Sequence, residues 1–227
     1  YRSPSDRLCV ANEASADVLI RAGVSADRII VTGFPVSPTF HDGEVAEIDP
    51  PVDRADRRIL YLVNPGRSKL GRTLEELLAL PQVRLTVIVG RDSELRARLH
   101  RRLEEYGDRV RLYGWTNLMP RLLLTHHLVI GKAGGATVQE AIAARCPMIV
   151  NQTIPGQEEG NARLIADEGF GCVVDGRRET VEAVQRAFAD RGRVWNKWRE
   201  HLTRAIRPGA AYRIAELVLA EGTDGTC

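Results

Sequence analysis

Residues 131–161 read GKAGGATVQEAIAARCPMIVNQTIPGQEEGN, and their pattern is the strongest indication of the fold. This stretch follows a short apolar run at residues 128–130, which has the length and composition of a buried strand. After the glycines, Val138, Ala141 and Ile142 recur at helical spacing and share one face. The stretch therefore predicts a strand, a tight turn and a helix.

Gly134 and Gly135 stand where the predicted turn meets the helix. They have no side chain to block a close ligand, and the unpaired backbone N–H groups of a first helical turn attract anions. Lys132 adds a positive charge at the strand end, and the Thr137 hydroxyl can donate to a phosphate oxygen. The turn therefore favours a diphosphate, with helix capping by Thr137 as the alternative.

Glu140 lies three residues beyond Thr137, one turn further along the same helix face. A carboxylate at that position can accept hydrogen bonds from the two neighbouring hydroxyls of a ribose. The alternative is a glutamate that caps the helix as part of a capping box. A glycine turn alone fits a structural role as well as a binding role.

Residues 146–152 predict a second buried strand, and polar side chains follow its end. Ligands of parallel α/β sheets bind beyond the carboxyl ends of the strands. Amides and carboxylates supply the donors and acceptors that sugar hydroxyls need, so we expect a sugar here. A solvated helix start is the alternative. The polar residues are Gln157, Glu158, Glu159 and Asn161.

Strand and helix patterns alternate along the whole chain. This alternation predicts an α/β fold with a doubly wound, Rossmann-like parallel sheet. The predicted strands are residues 8–11, 28–32, 59–63, 85–89, 110–113, 128–130, 148–151 and 172–174.

The 131–161 stretch resembles the donor-binding half of family 28 glycosyltransferases, which have the two-domain GT-B fold. Monogalactosyldiacylglycerol synthases and processive diacylglycerol glucosyltransferases are the most similar, and the peptidoglycan-precursor N-acetylglucosaminyltransferase is a more distant likeness. VANEASADVLIRAGVSADRIIVTGFPVSPTF, residues 10–40, resembles the segment that closes the first domain of those enzymes. The resemblance covers nearly the whole chain.

The resemblance implies a role for each polar residue. In the family pattern the glycine turn and Thr137 hold the diphosphate, Lys132 lies beside the phosphates, and Glu140 holds the ribose. In the same pattern Gln157 and Glu158 hold the donor sugar, and Asn161 belongs to the same cluster.

The segment LYGWTN, residues 112–117, resembles the part of the family that reads the uracil edge. The resemblance therefore implies Trp115 and Thr116 as the base site. Packing in a core or an interface is the alternative for a tryptophan. The loop after the first strand of this half supplies further candidates for the phosphates, namely Gly66, Arg67 and Ser68.

The segment from Pro35 to Arg58 carries four prolines and many acidic residues, which predicts an interdomain linker at residues 41–57. We assign residues 1–40 to the end of an incomplete N-terminal acceptor domain, 58–190 to the UDP-sugar donor-binding domain, and 191–227 to C-terminal helices. Two strands and one helix before the linker bury too little surface to form a core. We therefore expect that a missing N-terminal domain, or a partner chain, completes the protein.

No catalytic residue is assigned. In the resembled family, the upstream domain holds most of the acceptor pocket and the candidate base, so we expect the base upstream of this chain. None of the five histidines has an evident carboxylate partner in the sequence. His127, beside apolar Leu128, is expected to be a structural histidine.

Trp195 and Trp198 stand among arginines and lysine in the predicted helix at residues 191–207. This mixture is typical of helices at an anionic membrane interface, so lipid contact is a secondary hypothesis. The alternative is packing of the helix against the other domain.

Composition narrows the possible partners. Thirty-two basic residues against 30 acidic ones leave a formal net charge of +2, which excludes nucleic-acid binding by bulk charge. The four cysteines lack metal-ligand spacing, so we expect reduced thiols and no metal site. No apolar run approaches the roughly 20 residues of a membrane-spanning helix. We expect a cytoplasmic protein, with peripheral contact at the inner face of the membrane as part of the lipid hypothesis.

The resemblance implies an inverting, metal-independent hexosyltransferase that moves a hexose from a UDP-sugar to a lipid-linked hydroxyl, as in diacylglycerol-type glycolipid synthesis. UDP-glucose, UDP-galactose or UDP-N-acetylglucosamine would be the substrate, and no cofactor is expected. Two alternatives stay open. One is a noncatalytic UDP-sugar-binding subunit that needs a partner chain, and the other is a UDP-sugar epimerase of the same fold.

Overall fold

Parallel strands form two separate sheets in the computed structural model, which describes residues 5–42, 56–64 and 70–223. All eight predicted strands are present, with ends that differ by no more than two residues from those expected. The strands are β1 (Leu8–Val10), β2 (Ile29–Val31), β3 (Arg57–Leu62), β4 (Val83–Ile88), β5 (Val110–Tyr113), β6 (Leu128–Lys132), β7 (Met148–Gln152) and β8 (Gly171–Val173).

Helices connect the strands, as the alternating pattern predicts. Short 3₁₀ helices at Ala26–Arg28 and Glu104–Arg109 complete the connections. The α-helices are α1 (Glu13–Arg21), α2 (Thr39–Asp42), α3 (Leu70–Leu78), α4 (Ser93–Leu103), α5 (Met119–Thr125), α6 (Gly135–Ala143), α7 (Glu159–Asp167), α8 (Gly176–Ala205) and α9 (Ala210–Thr223).

The larger sheet has the strand order β5-β4-β3-β6-β7-β8, and every neighbouring pair is parallel. From β3 the chain builds outward to β5, and then crosses over to β6 and builds to β8 on the other side. The direction therefore reverses between β3 and β6, which is the position where doubly wound sheets bind ligands. The predicted Rossmann-like α/β fold is confirmed.

Alternation along the strands gives the larger sheet two different faces. On one face Ile59, Tyr61, Leu85 and Val87 are at most 2% exposed and form a core with α3, α4 and α8. Burying one such side chain contributes about 1.5–3 kcal/mol, so this face contributes strongly to the stability of the sheet. On the other face of β3, β4 and β5, arginines occupy several of the alternate positions.

The second part of α8 packs on the core of the larger sheet. A break at 189–192, where Asp190 and Arg191 have positive φ, redirects the helix. Trp195 is only 1% exposed, and its Nε1 donates to the carbonyl oxygen of His127 at 2.6 Å. Trp198 packs partly buried against the same core.

The lipid hypothesis is therefore wrong for Trp195, because its ring is buried and its N–H is already bonded. Packing against another domain is also wrong for this residue, since its partners belong to the same sheet unit. Within the described ranges, no helix is both long and apolar enough to cross a membrane.

The chain divides into two compact units, one comprising Tyr1–Gly43 with Arg207–Cys227 and the other comprising Glu44–Ile206. This division differs from the predicted segments, because residues 191–206 belong with the donor sheet and α9 belongs with the N-terminal unit. Most of the predicted linker, residues 43–55, lies outside the described residues.

The N-terminal unit is small. The two-stranded sheet of β1 and β2 is accompanied by α1, which the side chain of Asn12 caps by accepting from Ser15 N at 2.9 Å. Arg207 donates to the Glu13 carboxylate at 2.6 Å. The Arg213 Nε donates to the carbonyl oxygen of Thr32 at 3.2 Å. These bonds attach the C-terminal segment to the N-terminal strands within this unit.

Candidate functional site

The glycine turn connects β6 to α6, and α6 begins at Gly135 with Gly134 as its N-cap. Gly134 has φ −65° and ψ 137°, which any residue can adopt, so the turn does not need glycine for its backbone. A Cβ at Gly134 would lie 3.6 Å from the Lys132 Cε, and one at Gly135 would lie 3.7 Å from the Asn161 Nδ2. A Cβ at either glycine would therefore make ordinary van der Waals contacts, so packing within the described protein does not require glycine at these positions.

Gly134, the N-cap residue of α6, has no side chain to cap the helix, and no other described side chain does so. The first backbone N–H groups of α6 therefore keep their capacity to bind an anion, and the helix dipole adds positive potential. The capping alternative for Thr137 is wrong, because Gly134 is the N-cap and the Thr137 side chain makes no cap bond. Glu140 lies at the sixth helical position, too far along for a capping box.

Lys132 is held in place by Glu158. The Lys132 Nζ lies 2.6 Å from the Glu158 Oε1, and the other carboxylate oxygen accepts from Ile154 N at 3.1 Å. Glu158 is 5% exposed, whereas 42% of the Lys132 side chain is exposed. The buried carboxylate thus fixes an accessible ammonium group beside Gly134. Sequence reasoning missed this positioning role, because residues 26 positions apart give no local signal of contact.

Asn161 joins α7 to the glycine turn. Its Nδ2 donates to the carbonyl oxygen of Ala133 at 3.0 Å. Gln157 is exposed just before α7. The structure therefore brings Lys132, Gly134, Glu158 and Asn161 together at the carboxyl ends of β6 and β7, as predicted from the order of the elements.

Glu140 is half-buried on α6. Burial raises the pKa of its carboxyl group above the ordinary value. A carboxylate in that setting is poorly solvated and benefits from hydroxyl donors, which is what a ribose would offer.

Trp115 and Thr116 lie in the loop after β5, at the same edge of the sheet. Trp115 is 69% exposed, and the Thr116 Oγ1 accepts from Leu118 N at 3.1 Å. The core-packing alternative for Trp115 is therefore wrong within this unit. Three strand spacings of about 4.8 Å separate β5 from β6, so one ligand must extend roughly 14 Å along the edge to reach both parts. The other phosphate candidates, Gly66, Arg67 and Ser68, lie outside the described residues.

The buried histidines are structural. The Nδ1 of His127 accepts from Arg58 N at 3.0 Å, as expected for a structural histidine. The two ring nitrogens of His126 lie 2.6 Å from the carbonyl oxygen of Leu122 and 2.7 Å from the Thr86 Oγ1. Burial lowers the pKa of His126 to about 4. Both rings are engaged away from the carboxyl ends of the strands, so neither is offered as a base.

The cysteines of the described part of the chain are free thiols. Burial raises the pKa of Cys146 to about 12 and that of Cys172 to about 11, so both stay protonated near neutral pH. Cys9 is exposed on β1, and Cys227 lies outside the described residues.

Residues 68–191, more than half of the chain, match the family described as "Glycosyltransferase family 28 C-terminal domain". The chain belongs to glycosyltransferase family 28. The matched range contains the glycine turn, Glu140 and the polar residues before and within the first turn of α7, so the family assignment rests on the segment that builds the candidate site.

Among curated relatives of this family 28 chain is the processive diacylglycerol beta-glucosyltransferase of Bacillus cytotoxicus. It is 27% identical over 222 residues, which cover 95% of this chain and 57% of the relative. The chain thus spans little more than half the length of that relative.

Solved structures share the fold. The glycotransferase of kitacinnamycin aligns with a TM-score of 0.65 at 19% identity, covering 95% of this chain and 55% of the other. A UDP-N-acetylglucosamine 2-epimerase aligns with a TM-score of 0.68 at 17% identity, covering 98% and 59%. At these identities the likeness concerns the fold alone, and glycosyltransferases share it with epimerases.

Proposed function

We propose that this chain carries the donor site of a hexosyltransferase and binds a UDP-sugar along the carboxyl edge of its larger sheet. The observation that carries the proposal is the ammonium group of Lys132, which Glu158 holds at 2.6 Å beside an uncapped helix N-terminus. A fixed cation and free backbone donors at one point suit a diphosphate.

Each part of the donor has proposed partners. The diphosphate lies on Gly134, Gly135 and Thr137 with Lys132 beside it, and the ribose hydroxyls donate to Glu140. Exposed Gln157 and the neighbouring Asn161 meet the hexose of UDP-glucose, UDP-galactose or UDP-N-acetylglucosamine, while Glu158 acts chiefly by orienting Lys132. Trp115 stacks on the uracil, and the backbone near Thr116 reads its edge.

In the proposed reaction the oxygen of an acceptor hydroxyl attacks C1 of the hexose, and the bond between C1 and the diphosphate oxygen breaks. The electron pair goes to UDP, and the hydroxyl proton goes to a base that we do not assign to a described residue. The α6 dipole, its backbone N–H groups and Lys132 stabilise the departing diphosphate without a metal ion.

The proposed acceptor is a lipid-linked hydroxyl of the diacylglycerol type. This acceptor is supported by the 27% identical relative, which is a processive diacylglycerol beta-glucosyltransferase, and by the membership of the chain in family 28. An enzyme that glycosylates a lipid must act at a membrane surface. The proposal therefore includes peripheral membrane contact, made by residues other than Trp195.

Calorimetric titration tests the donor site. UDP, UDP-glucose, UDP-galactose and UDP-N-acetylglucosamine are titrated into the wild-type chain and into Glu140→Ala, with Gln139→Ala as the control on the same helix. Losing a charged partner of two hydroxyls costs on the order of 1.5–3 kcal/mol, so UDP should bind about tenfold or more weakly to Glu140→Ala. Equal UDP affinity in wild type and Glu140→Ala would refute the ribose assignment.

Turnover distinguishes the proposed transferase from the two alternatives. The chain is incubated with UDP-glucose and diacylglycerol in detergent micelles, and the products are analysed by NMR. Glycolipid formation supports the transferase and excludes a noncatalytic subunit. Inversion at a carbon of the sugar, with the UDP bond intact, would instead identify an epimerase.

A further inference from the structure

A cavity of about 530 Å³ lies between α5 and the sheet face of β3, β4 and β5 that points away from the apolar core. It is separate from the glycine turn, whose residues do not line it. Residues of all three strands and of α5 form its walls. The volume is within the range of about 300–1,000 Å³ typical of small-molecule sites.

Arginines on neighbouring strands dominate this cavity. Arg58 and Arg84 are direct partners across β3 and β4, and Arg111 is the partner of Thr86 on the next strand. Like charges that lie side by side on a sheet repel each other. Five arginines line the cavity against two aspartates, namely Arg58, Arg84, Arg109, Arg111 and Arg121 against Asp56 and Asp108.

Two of these arginines are engaged within the protein. The Arg84 Nε pairs with the Asp56 carboxylate at 2.9 Å, and the Arg109 Nε donates to the carbonyl oxygen of Val83 at 3.3 Å. Both contacts hold neighbouring segments together, so we regard Arg84 and Arg109 as structural walls.

The side chains of the other three, Arg58, Arg111 and Arg121, make no hydrogen bond or ion pair with another described residue. The Arg58 Nε is buried and lacks an acceptor among them. An unpaired buried donor costs about 1–3 kcal/mol, and more when it is charged. A protein that keeps such a group without a partner benefits from a ligand that supplies one.

The pKa of His126, which lines the cavity, reflects the positive charge there. The His126 ring is 7% exposed and bonds to the Thr86 hydroxyl at 2.7 Å. Burial, and then the positive charges of Arg58 and Arg111, lower the pKa of this ring to about 4. The ring is therefore neutral near neutral pH, which leaves the arginine charges uncompensated.

We propose that this cavity is a second ligand site, which binds a phosphate group through Arg58, Arg111 and Arg121. Guanidinium groups bind phosphate oxygens in a bidentate way, and three of them around one space match an anion of more than one charge. Tyr113 and Leu118 line the same cavity and offer apolar surface to an organic part attached to the phosphate. The phosphate belongs either to a soluble phosphorylated compound or to a lipid headgroup.

The site is tested by titrating inorganic pyrophosphate into the chain after the donor site has been saturated with UDP. Arg111→Ala and Arg121→Ala remove exposed side chains, so both variants should fold. Each lost guanidinium should weaken pyrophosphate binding about tenfold. Arg101→Ala, an exposed arginine of α4 outside the cavity, and Lys132→Ala at the glycine turn should leave this binding unchanged.

A second readout is the NMR titration of the His126 ring. Bound phosphate should move its protonation to higher pH, because an anion offsets the charges of Arg58 and Arg111. The same addition should have little effect in Arg111→Ala. Two results would overturn the proposal. One is pyrophosphate binding that is abolished by UDP or by Lys132→Ala but is normal in both cavity variants. The other is a complete absence of saturable pyrophosphate binding.

The two sources of phosphate are separated by sedimentation with vesicles. Mixed phosphatidylglycerol and phosphatidylcholine vesicles are compared with pure phosphatidylcholine vesicles, with and without pyrophosphate. Binding to the anionic vesicles that pyrophosphate displaces, and that Arg121→Ala weakens, supports a lipid headgroup. Pyrophosphate binding without vesicle binding supports a soluble phosphorylated ligand.

Discussion

The carboxyl and amino edges of the larger sheet, where its strands end and begin, differ in the exposure of their polar side chains. At the carboxyl edge, Trp115 is 69% exposed and the ammonium of Lys132 stays accessible beside an uncapped helix. At the amino edge, Trp195 is 1% exposed and His127 is 2% exposed. The contrast shows that the carboxyl end of β6 is left open for a ligand, while its amino end, next to Trp195, is closed by side chains of the protein.

The hydrogen bonds explain the contrast. At the amino edge the His127 ring accepts from Arg58 N, and the Trp195 indole donates to the His127 carbonyl oxygen. Backbone N–H and C=O groups at these strand ends are thus hydrogen-bonded to side chains, as buried backbone groups require. At the carboxyl edge the first N–H groups of α6 have no such partner among the residues that the structure describes. A ligand there gains bonds that the protein does not already make.

The largest effect that tests this contrast is expected for Trp195→Ala. Removing a fully buried tryptophan should cost about 3–5 kcal/mol of unfolding free energy. Urea unfolding followed by far-UV circular dichroism measures it. Trp195→Phe keeps most of the ring and should lose less, about 1–3 kcal/mol, because it lacks the indole N–H that donates to the His127 carbonyl oxygen. Wild-type stability in Trp195→Ala would show that the amino edge is not closed as described.

His126 gives a pH-dependent effect. Its pKa is about 4 in the folded chain and about 6.5 when unfolded, so the unfolded state binds the proton more readily. The resulting stability is fully present above pH 6.5 and is lost as pH falls toward 4, by about 3 kcal/mol in total. Urea unfolding of wild type and of His126→Gln is compared across this pH range. The difference between the two profiles gives the contribution of His126, because the carboxylates are the same in both proteins. Parallel pH profiles of the two proteins would contradict the burial of a neutral ring.

Trp115→Ala should have the smallest effect on stability, within about 0.5 kcal/mol, because the side chain is largely exposed. UDP affinity should nevertheless fall about fivefold or more, since stacking on a base is worth about 1–3 kcal/mol. Thermal unfolding and calorimetry on the same samples separate the two quantities, and Trp115→Phe should retain part of the affinity. Unchanged UDP binding would remove Trp115 from the donor site.

Much of the fold could be predicted from local patterns. The eight strands follow from short apolar runs, and α6 follows from the spacing of Val138, Ala141 and Ile142 after two glycines. Parallel pairing then places the ends of β6 and β7 at one edge, so the grouping of Lys132 with Asn161 could also be expected. These inferences succeed because strand and helix periodicities are properties of neighbouring residues.

Other features depend on residues that are distant in sequence. Trp195 stands among charged residues typical of a membrane-facing helix, yet the break at 189–192 turns it into the core. The ion pair of Lys132 with Glu158 and the arginine cavity likewise join separate elements, and their residues carry no motif.

The α/β alternation, the family likeness and the glycine turn could be inferred from the sequence, because each depends on residues that are neighbours along the chain. Which polar groups are already paired, and which are available to a ligand, became clear only from the folded arrangement. The physical reason is that burial and hydrogen bonding depend on what the packed elements bring together, and side-chain type does not specify that.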